Sequence, residues 1–378
     1  MKKNTIKCKI TLYAKKGGYL GFMKKLTCAS ENQHQYDIYI QKGIKDHIYN
    51  MEAIFGRYKN IVIITDKNSG KYYLGVIKKQ LKAYGGNVYS IVIPSGEQTK
   101  NLETVQSIYN ELLGFGITRG DLIVALGGGV VGDIAGFVSG TYMRGMDFVQ
   151  IPTTILAQVD SSVGGKCGVN LAGGKNLVGL LHHPRAVIID PLFLETLDDH
   201  YLMDGMAEVI KYGCISSGKL FVRLLSYQYQ EDLLEDMEEI VAKCVQIKRN
   251  IVEKDVDEKG VRRILNFGHT MGHVIETYFD FQTYSHGEAV AIGMYNMTKM
   301  TCKEGITKRE DLDNLGIILE TYGLPTEMPQ MDMQRVEEIL MRDKKLEGDI
   351  LNLCVMPKIG EAEIVKMRRE KAIQLFMQ

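Results

Sequence analysis

The chain has 378 residues, 45% of them hydrophobic and 24% charged, a size and balance that imply about two soluble domains rather than one core. Its 46 basic side chains are matched by 46 acidic ones, which excludes a global field that would draw it to nucleic acid or an anionic membrane. Seven scattered cysteines without CxxC spacing exclude a disulfide framework and fit a reducing cytoplasm.

Residues 1–35 are lysine-rich and show no clear period. They lack an apolar run ahead of a small-residue cleavage site, so no signal peptide is expected, and Met23 would itself serve as a start. This segment reads as an extension of uncertain order. Over residues 36–195, β-branched runs at Tyr36–Ile40, Ile61–Thr65, Val88–Pro94, Leu122–Leu126, Phe148–Ile151 and Ala186–Ile189 predict strands. Helical stretches separate them, as βαβ units require. One such helix places Leu102, Val105, Ile108 and Leu112 on a single face, with Gly114 where a glycine cap belongs. The most apolar stretch, Leu122–Val138, is Gly-rich and holds Asp133, so it is a poor membrane span. Over residues 196–378 the β-branched runs give way to 3.6-type spacing at Asp232–Glu253, Leu265–Thr277 and Glu288–Met300, which predicts a helical domain.

DLIVALGGGVVGDIAGF (121–137) reads as a strand, a triple-glycine turn and a helix start. Backbone without Cβ atoms can approach a pyrophosphate closely, and the helix amino terminus offers unpaired N–H groups to it. The expected first domain is therefore a Rossmann-like α/β nucleotide-binding fold, although the string departs from GxGxxG and equally fits a plain tight turn. Further turns follow the other strands: Asp66 to Asn68, Ser95-Gly96-Glu97 with Lys100, and Thr153-Thr154. In a parallel sheet these gather at one edge, where Asp66 or Glu97 could hold ribose or amide groups. Each alone also serves as an ordinary turn former.

Three of the eight histidines fall within 18 residues, in RRILNFGHTMGH (262–273) and SHGEAVAIGM (285–294). A catalytic metal wants about three protein ligands and one open position. His269 and His273, four apart on a helix, could chelate one ion together, while His286 opens the next helix. GMAEVIKYG (205–213) supplies a carboxylate, Glu208, three residues before Lys211 on the same face. A single helix histidine is more often a partly buried structural side chain; the cluster makes a metal the better reading. Glycine-rich SSVGGKCGVN and GGKN (161–176) place Lys166, Lys175 and Asn176 in a loop that would let an anion come close. Lys248, Arg262 and the run Arg342-Asp343-Lys344-Lys345 add positive charge, which in isolation would be solvated surface.

Together, GGGVVGDIAGF, YMRG, PTTILAQVDSSVGGK, GKNLVG, AEVIKYG, LNFGHTMGH and HGEAVAIGM, in order from about residue 61 to 345, resemble the 3-dehydroquinate synthase family. The resemblance implies an α/β domain binding NAD, a helical domain binding zinc or cobalt, a homodimer and a sugar acid phosphate substrate. The implied reaction turns 3-deoxy-D-arabino-heptulosonate 7-phosphate into 3-dehydroquinate through transient oxidation, phosphate elimination, re-reduction and intramolecular aldol closure. By motif position the metal ligands are Glu208, His269 and His286, and His273 turns to the leaving phosphate instead of chelating. Lys166, Asn176, Asn266 and one of Lys344 and Lys345 join it, with Arg144 reaching in from a neighbouring subunit. Lys248 and Arg262 correspond to carboxylate-binding positions, and an arginine fork suits a planar carboxylate. Asp160, Lys175 and Lys211 are implied near the substrate hydroxyls and cofactor. The implied NAD contacts are Asp66, Asn68, Glu97, Lys100, Gly128, Gly129, Val130, Asp133, Thr153 and Thr154.

The chain departs from the family pattern LPxRELxxGxAE in LDDHYLMDGMAE, which puts the approach to Glu208 and the NAD contact at Tyr201 in question. Two other functions share most of these features. An aminocyclitol- or valiolone-type sugar phosphate cyclase needs no carboxylate site, against Lys248 and Arg262. A metal-dependent polyol dehydrogenase needs fewer phosphate-directed cations and releases NADH. A non-catalytic binding protein with this fold rests only on the LDDHY departure.

Overall fold

The structure is a computed structural model that describes residues 23–29, 35–171, 174–255, 258–341, 346–347 and 350–376. The chain divides into two compact units, Met1–Leu197 with Met237–Arg249, and Asp198–Asp236 with Asn250–Gln378.

The first unit is built on a seven-stranded sheet. Its members are β1 (Lys24–Ala29), β2 (Gln35–Ile40), β3 (Asn60–Asp66), β4 (Asn87–Ile93), β5 (Leu122–Gly127), β6 (Asp147–Pro152) and β9 (Ala186–Ile189). They lie in the order β1-β2-β9-β6-β5-β3-β4, parallel except for the antiparallel β1–β2 pair. All six predicted strands are present, each within about one residue of its predicted ends. Their legibility has a cause: strands of a parallel sheet are covered on both faces and read as unbroken β-branched runs. One core packs Ile64, Ile91, Ile123 and Phe148 under the helices α2 (Leu102–Gly114) and α3 (Gly129–Thr141). The other packs Ile63, Val124, Val149 and Ile188 on the opposite face with Ile77 and Leu81 of α1 (Gly75–Lys82).

Several expectations need correction here. β1 lies inside the segment read as an extension; its lysines face partners, Lys25 Nζ meeting Asp37 Oδ2 at 2.9 Å and Lys24 pairing with Glu238 and Glu239. The amphipathic face of α2 uses Val105, Ile108 and Leu112, whereas Leu102 is exposed. Gly114 is helical, and the left-handed position belongs to Gly116 with φ 67°. Most of the glycine-rich segment 161–176 read as a loop belongs to an antiparallel hairpin of β7 (Lys166–Leu171) and β8 (Gly174–Leu181).

The second unit is mainly helical. Three of its helices matter below: α4 (Asp199–Ser216), α6 (His269–Tyr278) and α7 (His286–Lys303). The predicted helix Asp232–Glu253 breaks into a short helix (Gln230–Glu235) and α5 (Met237–Val252), most of which belongs to the first unit. A small antiparallel sheet, β10 (Leu346–Glu347), β11 (Ile350–Lys358) and β12 (Glu361–Arg368), is also present where only helix was expected. Among the described residues no helix is long and apolar enough to cross a membrane.

Candidate active site

In the first unit, the carboxyl ends of β3, β4, β5 and β6 bring the predicted turns together. Asp66 ends β3 and caps the next turn, accepting from the Asn68 and Ser69 amides at 2.7 and 2.9 Å. Ser95 Oγ, past β4, donates to Asp66 Oδ1 at 3.3 Å. Past β6, the Thr153 amide bonds the Gly127 carbonyl at 3.0 Å, and its hydroxyl lies 3.1 Å from Ser69 Oγ. Gly128 sits where a Cβ would lie 3.0 Å from Thr154 Cγ2, so the turn stays free of side chains. Gly129 and Val130 open α3, whose first free N–H groups suit an anion.

One polar chain tightens this edge. Buried Lys100 pairs with Asp133, one turn into α3. Glu97 Oε1 accepts from Asn170 Nδ2 at 2.8 Å, and Asn170 Oδ1 accepts from the Asn176 amide at 2.8 Å. Asn170, which the sequence reading passed over, thus ties the hairpin to the turn after β4. Lys248 of α5 donates to the Asp160 carbonyl at 2.7 Å and lies 3.0 Å from its carboxylate. Lys166 is exposed on β7 and Lys175 partly buried on β8. Arg144 is exposed, in a turn where it and Met143 hold φ of 64° and 51°.

In the second unit, Glu208 is 1% exposed near the middle of α4. Its Oε1 lies 3.3 Å from His269 Nε2 and 3.5 Å from His286 Nε2, while Lys211 pairs with Oε2 one turn on. One ligand atom from each of Glu208, His269 and His286 lies within 4.8 Å of the others. His269 begins α6 after Gly268, whose φ of 78° makes the sharp entry, and His286 begins α7. His273 does not join them: it is exposed, its ring centroid 5.6 Å from that of His269. The HxxxH chelate open on spacing alone is therefore not the one the fold builds.

These residues fit a divalent cation. His269 Nδ1 lies 3.0 Å from the Phe267 carbonyl, which can only accept, so that nitrogen carries the proton and Nε2 turns a lone pair toward Glu208. Neither Glu208 oxygen receives a well-directed hydrogen bond, so two acceptors face each other in a buried place that a cation would satisfy. The titration follows. Burial pushes Glu208 up, but the Lys211 ammonium beside it outweighs this and holds the carboxyl well below its usual range. Burial and Lys211 depress His269. Burial opposes charge on His286, yet Glu276 and Glu208 lift it to about 10.

The remaining predicted residues of this unit lie nearby in sequence. Arg262 is buried, its amide bonding Asp255 Oδ2 at 2.8 Å. Asn266 Nδ2 donates to Glu258 Oε1 at 2.8 Å. Glu258, with φ of 60°, is another polar partner that sequence pattern did not flag. Lys344 and Lys345 lie outside the described residues. At the LDDHY departure, Asp198 takes over the start of α4, accepting from the His200 amide at 2.9 Å, so the helix begins cleanly without the family's proline, and Tyr201 is exposed.

The fold built from this sheet and the helical unit is similar to that of solved sugar phosphate cyclases. A 2-deoxy-scyllo-inosose synthase complexed with carbaglucose-6-phosphate, NAD+ and Co2+ matches with a TM-score of 0.81 at 24% identity, over 94% of this chain and 99% of that one. The 2-epi-5-epi-valiolone synthase of Streptomyces hygroscopicus, with NAD+ and Zn2+ bound, matches with a TM-score of 0.82 at 25% identity, over 91% of this chain and 96% of that one. The sequence is more specific. Residues 90–204 match the 3-dehydroquinate synthase N-terminal family and residues 205–346 its C-terminal counterpart. The 3-dehydroquinate synthase of Clostridium acetobutylicum is 46% identical over 90% of this chain and 95% of its own. The chain belongs to the 3-dehydroquinate synthase family.

Proposed function

We propose that this protein is a 3-dehydroquinate synthase, a carbon–oxygen lyase of the shikimate pathway that converts 3-deoxy-D-arabino-heptulosonate 7-phosphate to 3-dehydroquinate and phosphate. The observation that carries the assignment is the convergence of Glu208, His269 and His286, whose ligand atoms lie within 4.8 Å of one another, in a chain with this family membership. When bound, NAD takes a hydride and returns it, and a zinc or cobalt ion acidifies a substrate hydroxyl. Glu208, His269 and His286 hold the metal. Asp66, Asn68, Glu97, Lys100, Gly128, Gly129, Val130, Asp133, Thr153 and Thr154 hold NAD, with Lys175 beside it.

The other residues act on the substrate. Lys248 and Arg262 take its carboxylate, and the planar guanidinium fixes its orientation. Lys166, Asn176, Asn266, His273 and one of Lys344 and Lys345 surround the phosphate, together with Arg144 of the partner subunit in a homodimer. Positive charge and N–H donors at that point stabilise the leaving group as the C–O bond breaks. Asp160 and Lys211 contact the hydroxyls. The scattered cysteines, without CxxC spacing, fit a cytoplasmic setting.

The test follows phosphate and free NADH together, with and without added NAD and zinc or cobalt. Phosphate release without NADH accumulation is expected. Folded, metal-loaded protein that releases no phosphate refutes the assignment, and stoichiometric NADH identifies a dehydrogenase instead.

A further inference from the structure

The metal ligand His286 is held by its neighbours in two separate ways. Its backbone is pinned: Asp204 Oδ1 accepts from the Gly287 amide at 2.6 Å and from Ser285 Oγ at 2.5 Å. Ser285 and Glu288 close a capping box around the same turn, with bonds of 3.3 and 2.9 Å. With the main chain fixed, the remaining freedom is rotation of the side chain. Glu276 faces that ring, its Oε1 3.4 Å from His286 Nδ1, and it is 3% exposed.

The placement follows a pattern. Glu276 stands seven residues after His269, two turns along the same face of α6, so the helix that provides one ligand also provides the group facing the other. Asp204 stands four residues before Glu208 on α4, one turn away on the same face, and grips the start of α7. His269 meets a main-chain carbonyl through Nδ1, which substitution cannot remove, whereas His286 meets a side chain. A carboxylate accepting from Nδ1 leaves Nε2 with its lone pair aimed at the metal and makes it a better donor.

We propose that Glu276 is a positioning residue for the metal: it fixes the ring orientation and tautomer of His286 and so sets metal affinity. This rests on the metal site assigned above. Zinc affinity by chelator competition, and the visible absorption of the cobalt-substituted protein, are measured for wild type, Glu276→Gln and Glu276→Ala, alongside thermal unfolding of each metal-free protein. Glu276→Ala is expected to bind zinc 10- to 100-fold more weakly and to shift the cobalt bands. Glu276→Gln, which keeps an acceptor oxygen, is expected to lose less. If Glu276→Ala does not fold, Glu276→Gln decides, with a several-fold loss of affinity and shifted cobalt bands in a protein that melts as wild type. Variants that fold and bind zinc within twofold of wild type, with unchanged cobalt spectra, overturn the role of Glu276 and leave the metal site standing. Wild-type protein that takes up neither ion overturns the metal assignment itself, and with it this proposal.

Discussion

Replacing Gly293 with alanine tests whether the packing of α6 on α7 sets the metal cluster. A Cβ at Gly293 would press on the Gly268 carbonyl oxygen, lie 2.9 Å from the Gly268 carbonyl carbon and 3.1 Å from the Gly272 amide nitrogen. Ordinary contact begins near 3.4 Å, and every atom met is backbone in the first turn of α6, where Gly272 N–H already bonds the Gly268 carbonyl at 2.9 Å. No flexible side chain can swing aside, so the helices must separate by several tenths of an ångström. Overpacking of this kind costs about 1–3 kcal/mol, and contact with backbone on every side favours the upper half. Alanine returns about 1 kcal/mol of helix propensity. The net loss is about 1–2 kcal/mol, or a Tm roughly 3–6 °C lower for a domain of this size. His269 directly follows Gly268, and a metal tolerates only about 0.2 Å of error in its ligand distances, so zinc affinity is expected to fall at least about tenfold. Calorimetry of the metal-free protein and chelator competition measure the two effects. A Gly293→Ala protein with wild-type Tm and wild-type zinc affinity refutes the reasoning.

The opposite outcome is expected at Gly75, which has helical φ and ψ of −61° and −45° and open space where a Cβ would go: Gly75→Ala should raise stability by about 0.5–1 kcal/mol, seen as a higher urea midpoint at unchanged m-value. His269→Ala is expected to lose bound metal, while His273→Ala, exposed and apart from the cluster, keeps it and slows phosphate release; equal metal loss in both would restore the HxxxH chelate. Asp121 accepts four hydrogen bonds from Asn60 and Thr118, at 2.8 to 3.0 Å, and although burial pushes its carboxyl up, those bonds bring it below the usual range. A depressed folded pKa means that its contribution is complete at neutral pH and fades from about pH 4 downward. Asp121→Asn should therefore cost about 1–3 kcal/mol at pH 7, and the gap to wild type should narrow in acid unfolding curves.

The strands and the clustering of Glu208, His269 and His286 were legible in the sequence for a physical reason, and the misses have reasons too. Buried parallel strands such as Leu122–Gly127 leave runs of apolar residues with no polar alternation. His269 and His286 lie close enough in sequence for one window to catch both, and Glu208 was offered as their carboxylate, but spacing alone kept His273 with them until the family motif set it apart. Glu276 was invisible because nothing in its own helix marks a buried carboxylate as paired; its meaning comes from His286, ten residues on. The segment 161–176 read as a loop because glycine weakens strand signals, yet in the hairpin Gly168 and Gly179 lie opposite each other where a Cβ on either would meet the other strand's backbone at 2.8 or 2.6 Å. β1 was hidden because its lysines suggested solvent, when they meet acidic partners. Asn170 and Glu258 are polar residues in turns and edges, where pattern does not separate a network member from a surface group.

The return of Met237–Arg249 to the first unit has a consequence for how the protein is made. Every strand of the sheet lies before Leu197, but the contacts of the first unit with Glu238 and Lys248 must wait until roughly forty to fifty more residues have left the ribosome. Closing that excursion costs chain entropy that grows only slowly with its length, so the delay falls on synthesis more than on stability. A fragment cut after Leu197 would carry every strand of the large sheet and still leave Lys42 and Asp160 without the helix they bind. Proteolysis within 198–236 would cut the chain between the sheet and the helix that returns to it.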